Sequence, residues 1–277
     1  MRCSIMKKFE GILFVSDLDD TLLTDEKKIS PENRKAIEYF ESEGGKFSFI
    51  TGRIPLGAKP ILAQLTPNIP FGCINGGGIY DTSAKEYVWK LTLDENYKEL
   101  VEYVRKDFPT VGIEVCTFDG SYFCHKNELT EIHRIIEEFP DRRCHHNDIN
   151  EPVAKVLLID EEELIPSLMD GLSKQSISSR FDFVRSTSQY YEIVPKGASK
   201  GNALLKLAEI LGLDPSKTIS IGDNDNDVSM LKAAKLGFAV SNASHNAKAC
   251  ADYITVSNNE HAIAKVIEDL DTGRIKI

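Results

Sequence analysis

The most constraining feature of the chain is an apolar run, Ile12-Leu13-Phe14-Val15, that breaks at Ser16 and meets three carboxylates within four positions: Asp17, Asp19 and Asp20. A short continuous apolar stretch fits a strand buried on both faces, as in a parallel sheet covered by helices. Side chains alternate along an extended segment, so Asp17 and Asp19 project to one side at the strand's carboxyl end, where open α/β sheets bind ligands. Two like charges this close require a hard cation or a raised carboxyl pKa. A polar turn uses the same residue types, so the assignment depends on what the rest of the chain brings to that edge.

Downstream the pattern repeats. Ser30-Pro31-Glu32 predicts an N-cap followed by proline at the first helical position, with Ala36, Ile37 and Phe40 as the apolar stripe and Gly44-Gly45 as the stop. A second strand, Lys46-Phe47-Ser48-Phe49-Ile50, ends in Thr51-Gly52-Arg53. A right-handed crossover puts the tips carrying Asp17 and Thr51 on the same edge of the sheet. A helix over 55–65 and a third strand over 71–75 follow, before Gly76-Gly77-Gly78.

The texture then changes. Strands are expected over 86–93, 111–117, 122–125, 153–160 and 181–185, with helices over 95–108, 128–139 and 161–173. Strand pairs followed by helices predict an α+β layer with its own sheet. Residues 81–190 are therefore read as an inserted domain, and 1–80 with 191–277 as the core. The core is expected to resume at Tyr191-Glu192-Ile193-Val194-Pro195. Ser199 can cap the next helix, and Lys200 in its first turn sits at the unfavourable end of the helix dipole, which calls for an anion in the folded state. A further buried strand, Lys217-Thr218-Ile219-Ser220-Ile221, ends in Gly222-Asp223-Asn224-Asp225-Asn226-Asp227, the densest acidic cluster in the chain. A helix begins there at once and no closing Glu follows, unlike a Ca²⁺ loop of the EF-hand kind.

Composition narrows the partners. With 33 basic and 43 acidic residues the net charge is −10, which argues against a nucleic-acid surface or an anionic-membrane footprint. No apolar stretch reaches the ~18 residues of a membrane span, and the opening eight residues lack the apolar segment of a secretory signal. Six scattered cysteines without paired spacing fit reduced thiols, so a cytoplasmic location is expected. Cys124-His125 and Cys144-His145-His146 match no familiar zinc-finger spacing and are not read as ligands. An anionic substrate would need local positive charge or a cation, and oligomeric state is open.

Asp17 and Asp19, Thr51 with Gly52, Lys200, and Asp223 with Asp227 thus converge on one sheet edge. Carboxylates, a hydroxyl, a backbone amide and an ammonium suit a hard divalent cation holding a phosphate. Asp17 can attack phosphorus to form an aspartyl-phosphate, with Mg²⁺ neutralising the repulsion between nucleophile and substrate. Asp19 can protonate the leaving oxygen and then deprotonate water. Thr51, the Gly52 amide and Lys200 can stabilise the transferring group, while Asp223 completes the metal shell.

The order Asp-x-Asp-x-Thr, strand-Thr-Gly-Arg, Lys-Gly-x-x-Lys-Gly, Gly-Asp-x-x-Asn-Asp resembles the haloacid dehalogenase superfamily, and the layout is similar to its Cof-type, class IIB phosphatases. The resemblance spans essentially the whole chain. It implies a Rossmann-like three-layer α/β core with a parallel sheet, an inserted α/β cap of C2B type, and Mg²⁺-dependent hydrolysis of small phosphate esters. It further implies metal ligation by the Asp17 carboxylate, the Asp19 carbonyl and Asp223, with Asp227 and Asn226 behind them orienting Lys200, water or substrate. Thr51, Gly52, Arg53, Lys200 and Asn226 form the expected phosphate-binding set. Two departures stand out: Asp20 replaces the usual glycine, and Glu260-His261 replaces an acidic-Gly pair; Ser241 also stands where glycine is frequent. A phosphomutase or phosphotransferase on the same core, or a non-catalytic phosphate-ligand binder, are the alternatives. Substrate choice is expected to lie with cap residues such as His125, Arg142, Arg143 and Arg185.

Overall fold

A computed structural model describes residues 7–277; Cys3 and the opening Met-Arg-Cys segment lie outside the described residues. In chain order the first elements are β1 (Leu13–Ser16), α1 (Pro31–Ser42), β2 (Lys46–Phe49), α2 (Lys59–Leu62), β3 (Phe71–Cys73), β4 (Gly78–Asp81) and β5 (Glu86–Lys90). Next come α3 (Tyr97–Asp107), β6 (Gly112–Thr117), β7 (Ser121–His125), α4 (Glu128–Ile136), β8 (Val153–Ile159), α5 (Ile165–Ser173), β9 (Phe181–Arg185) and β10 (Tyr190–Pro195). The chain closes with α6 (Lys200–Leu211), β11 (Thr218–Gly222), α7 (Val228–Ala233), β12 (Leu236–Ala239), α8 (His245–Cys250), β13 (Tyr253–Ile254) and α9 (Ala262–Asp271).

These elements form two compact units. The first holds the residues up to Thr51, Lys59–Trp89 and Ser199–Ile277; the second holds Gly52–Ala58 and Lys90–Ala198. The first unit is built on a parallel sheet of order β13-β12-β11-β1-β2. β1 is an interior strand, paired with β11 on one side and β2 on the other, and is buried on both faces, which explains the unbroken apolar run. Leu13 and Val15 pack into a cluster with Ala203, Leu204, Leu207 and Ala208 of α6. Phe14 points the other way, edge-on to Phe40 of α1 and to Phe47. Alternation along one strand thus recruits a helix to each face and makes the three layers.

The expected caps are present: Ser30 Oγ accepts the Asn33 amide at 3.2 Å and Ser199 Oγ accepts the Asn202 amide at 3.1 Å. Register then aligns the strand ends. Ser16 stands opposite both Ile221 and Phe49, so the residues just past β1, β2 and β11 emerge together. The ladder continues one step, with Asp17 N donating to Ile221 O and Ile50 N to Ser16 O, each at 2.9 Å.

Three expectations need correction. The third strand stops at Cys73, because Ile74 and Asn75 take left-handed backbone (φ 58° and 50°). β3 joins β4 and β5 in a separate sheet, and a single parallel bridge, Ile50 to Gly72, ties it to the chain beyond β2. The helix expected over 55–65 shrinks to Lys59–Leu62, consistent with Pro60 lacking an amide donor and residues 52–58 belonging to the other unit. Finally, Tyr190–Pro195 is not core: β10 pairs antiparallel with β8 and β9, so the units divide at Trp89/Lys90 and Ala198/Ser199 where the sequence suggested 80/81 and 190/191.

The second unit is an antiparallel sheet of order β7-β6-β8-β10-β9. One face carries Ile113, Val115, Val156, Leu158 and Ile193 into a core with Leu100 and Val104 of α3 and Leu168 of α5. Glu114, Lys155 and Glu192 alternate with these residues and are buried as well, and Lys155 Nζ meets Glu192 Oε2 at 2.9 Å.

Candidate active site

Within the first unit, the aligned strand ends and the start of α6 bring Asp17, Thr51, Lys200, Asp223 and Asp227 to one edge. Lys200 is 1% exposed, and its ammonium donates to Asp17 Oδ1 and Asp227 Oδ1, each at 2.6 Å. These are the anions its place in the first turn of α6 called for. Burial lowers the pKa of this ammonium, but Asp17 and Asp227 outweigh that and hold it above the ordinary lysine value.

Asp227 is a scaffold as well as a counter-charge. Its Oδ2 accepts the backbone amides of Asp223 (2.9 Å) and Asn224 (3.0 Å), pinning the loop after β11. Glycine at 222 makes room for it: a Cβ there would stand 2.5 Å from Asp227 Cβ. Gly76 plays the corresponding part on the other side. A Cβ at that position would lie 2.0 Å from Ser199 O, so only glycine lets the loop after β3 approach the start of α6 so closely. Asn75 Oδ1 in that loop accepts Asn226 Nδ2 at 3.1 Å, while Asn226 Oδ1 is buried without a partner.

Carboxylate oxygens of Asp17, Asp223 and Asp227 lie within 4.8 Å of one another. Three carboxylates face one ammonium, leaving two uncompensated negative charges. Burial accordingly drives the Asp17 carboxyl well above the usual carboxylate range; Lys200 opposes this, and Asp227 and Asp223 add to it. Burial and then the charge of Asp227 lift Asp223 to about 7, against the pull of Lys200 and of Thr21, whose Oγ1 donates to Asp223 Oδ1 at 2.9 Å. An all-oxygen donor set with excess negative charge and an unpartnered amide oxygen nearby fits a hard divalent cation.

The remaining expected residues are placed as follows. Asp19 lies two positions past Asp17, with Lys27 Nζ at 3.3 Å from its Oδ1. Thr51 is buried, and its backbone is tied to β3 by donation to Gly72 O and to the loop after β3 by acceptance from Asn75 N, both at 3.0 Å. Gly52 and Arg53 fall in the second unit. There Gly52 O accepts Lys155 Nζ at 3.1 Å and Arg53 pairs with Glu137. Of the specificity candidates, His125 Nδ1 lies 2.7 Å from Val111 O, Arg142 lies over the Tyr122 ring, Arg143 pairs with Asp141, and Arg185 donates to Ser188 O. Sequence reasoning gave no role to Thr21 or Asn75. The signal for Thr21 was its place in the Asp-x-Asp-x-Thr run, and for Asn75 its place at a strand end.

Residues 14–267 match the haloacid dehalogenase-like hydrolase family. A Streptococcus pyogenes serotype M6 protein, whose name provisionally assigns it to the phosphatases, is 33% identical over 265 residues, covering 92% of this chain and 96% of that one. The Bacillus subtilis 5-amino-6-(5-phospho-D-ribitylamino)uracil phosphatase YwtE is 30% identical over 288 residues, covering 93% and 97%. Among solved structures, a haloacid dehalogenase-like hydrolase from Bacteroides thetaiotaomicron superposes with a TM-score of 0.81 at 28% identity, covering 94% of this chain and 99% of that one. The chain therefore belongs to the haloacid dehalogenase-like hydrolase family. Within that family it is a phosphatase, and its fold matches that of a subclass IIB sugar phosphatase, with a TM-score of 0.82 at 21% identity.

Two of the three departures from glycine fall at left-handed backbone: Asp20 has φ 58° and His261 has φ 64°. Aspartate tolerates this region better than most residues, and Asn242 Nδ2 holds the Asp20 carbonyl at 2.9 Å. His261 stands immediately before α9, and its buried Nδ1 makes no hydrogen bond, with Glu32 Oε2 3.6 Å away. His261→Gly is expected to raise unfolding stability by about 1 kcal/mol, measured by urea denaturation. Asn242 also accepts the Asn258 amide through Oδ1 (3.1 Å), so both ends of its side chain are committed to holding loops.

Proposed function

We propose that this phosphatase hydrolyses small phosphorylated metabolites, a sugar phosphate or similar ester, with Mg²⁺ and through an aspartyl-phosphate on Asp17. The observation that carries this reading is the buried carboxylate pair bridged by Lys200, Asp17 and Asp227, with Asp223 beside it. Asp17, Asp223 and the Asp19 carbonyl would hold the cation, which when bound offsets the excess negative charge and draws a phosphate toward a like-charged nucleophile. Asp17 then presents an ionised oxygen to phosphorus. As that P–O bond forms, the bond to the ester oxygen breaks, and Asp19 delivers a proton to the departing alcohol. Asp19, now a base, takes a proton from water as it attacks phosphorus, releasing inorganic phosphate and restoring Asp17.

Lys200 keeps Asp17 oriented and offsets its charge, and Thr51 supplies a hydroxyl to the phosphate oxygens. Asn226 orients water or substrate in this reading, and Asp227 holds Lys200. A ribityl phosphate, the kind of ester named for the B. subtilis relative, is consistent with a small polyol or sugar phosphate here. Cys116, Cys124, Cys144 and Cys250 are free thiols, which supports action in a reducing compartment, the cytoplasm. No helix among the described residues is long and apolar enough to cross a membrane.

The test is phosphate release from a panel of sugar and polyol phosphates, with and without chelator. Removing divalent metal is expected to lower the rate at least about 10²-fold, the kinetic equivalent of several kcal/mol of charge stabilisation. Re-addition of Mg²⁺ is expected to restore it. Turnover that persists in chelator excludes the metal-assisted route, and phosphate appearing on a second hydroxyl in preference to water identifies a phosphotransferase.

A further inference from the structure

One cluster of metal-ligating side chains takes no part in the phosphatase chemistry. Glu102, His145 and His146 all belong to the second unit, and each offers a ligand atom within 4.8 Å of the other two. Glu102 lies on the exposed side of α3, and the histidines lie at the single turn His146–Asp148, which packs against that helix.

His146 is the anomaly. It is 1% exposed, yet neither Nδ1 nor Nε2 has a hydrogen-bond partner. Leaving a buried polar atom unsatisfied costs about 1–3 kcal/mol, and such atoms are rare in native structures. An apolar side chain would fill the same space without that cost, so packing alone does not account for an imidazole here. Its Nε2 faces Glu102 Oε2 at 3.7 Å, too far for a hydrogen bond. Two donors each about 2.1 Å from a tetrahedral ion stand about 3.4 Å apart, so a small contraction would suit a shared cation. The His145 ring lies alongside, 4.2 Å from that of His146 between centroids.

We propose that Glu102, His145 and His146 form a second metal site, selective for a borderline divalent ion of the Zn²⁺ kind. Two imidazoles and one carboxylate make the donor set of an open zinc centre, with water in the fourth position. Nitrogen donors favour Zn²⁺ over Mg²⁺, which separates this cluster from the all-oxygen group around Asp17. Ligation needs neutral imidazole, and burial, with the charge of His145 acting the same way, holds the His146 ring down at about 4. Binding through Nε2 leaves the single ring proton of each histidine on Nδ1. For His145 this ends a long hydrogen bond accepted from the Asn147 amide at 3.3 Å. Lys98 and Arg105 are the opposing cations nearby; they donate to Ile149 O (3.4 Å) and Cys124 O (3.2 Å), and Glu102 supplies the local negative charge.

The test is calorimetric titration of the metal-free full chain with Zn²⁺ in excess Mg²⁺, which keeps the Asp17 cluster occupied by Mg²⁺. One Zn²⁺ per chain is expected. Glu102→Gln and His145→Ala change exposed side chains, so both variants should fold and keep their Mg²⁺-supported phosphate release. Loss of an outer-shell partner alone typically weakens metal binding about 10–100-fold, so loss of a direct ligand should weaken Zn²⁺ binding by at least about 100-fold. Equal Zn²⁺ binding by wild type and both variants overturns the proposal. So does wild type that takes up no Zn²⁺ under excess Mg²⁺, or Zn²⁺ binding abolished by Asp223→Asn and by neither cap variant.

Discussion

Asp17→Asn is expected to lower kcat/KM for phosphate release by at least about 10⁴-fold, as removal of a nucleophile does in other enzymes that form covalent intermediates. Asparagine keeps the shape of the side chain but offers phosphorus no anionic oxygen. Folding should survive the change. Burial already disfavours the ionised Asp17 carboxyl, and Lys200 retains Asp227 as its partner at 2.6 Å. A neutral isostere therefore removes a charge the fold was holding at a cost, and unfolding free energy at neutral pH should be equal to or above that of the parent. The paired measurements are a phosphate-release assay and thermal unfolding. A variant that stays within tenfold of the parent would show that the attacking oxygen belongs to another residue. Trapping of a phosphorylated parent enzyme, absent in the variant, would identify the intermediate directly.

Lys200→Met carries the second large effect, and it falls on stability as well as rate. Methionine fills much of the same volume, so the loss is chiefly electrostatic. Without the ammonium, Asp17 and Asp227 remain buried against each other with nothing between them. Breaking a buried ion pair from one side typically costs about 3–5 kcal/mol, because the remaining charge is left uncompensated. One carboxylate is then expected to take up a proton at neutral pH. If that carboxylate is Asp17, its nucleophilicity goes with it. The rate should drop about 10²–10³-fold, in line with loss of one electrostatic contact to the reacting group. Its pH profile should move to higher pH than that of the parent. Urea denaturation reads the first effect and a pH series of phosphate release the second. A stable variant with an unshifted profile would mean that Lys200 neither balances nor orients Asp17.

Much of the core was legible because its signals are local. The apolar run of β1, the Ser30-Pro31 and Ser199 caps, and the acidic ends of β1 and β11 each depend on neighbours within a few residues. The unexplained lysine at the start of α6 even announced that an anion would meet it. What failed was membership. Tyr190–Pro195 has the composition of a core strand, and nothing in its own residues says that it pairs with β8 and β9 instead of the parallel sheet. Residues 52–58 directly follow a core strand, yet they belong to the other unit through contacts such as Lys155 with Gly52 O. His145 and His146 were weighed in the sequence only beside cysteines and set aside; that Glu102 stands next to them was invisible, since about forty residues separate the carboxylate from the imidazoles.

Residue order alone determined the family, the parallel core and the identity of the acidic groups, because strand burial, helix capping and motif spacing are short-range properties written in consecutive side chains. Only the tertiary structure decided which of those groups share a charge. The 2.6 Å bridges from Lys200 join residues 183 and 27 positions apart, and the room that Gly222 leaves for Asp227 depends on how β11 turns into its loop. Distances of that kind arise from sheet register and close packing, which no single stretch of sequence contains.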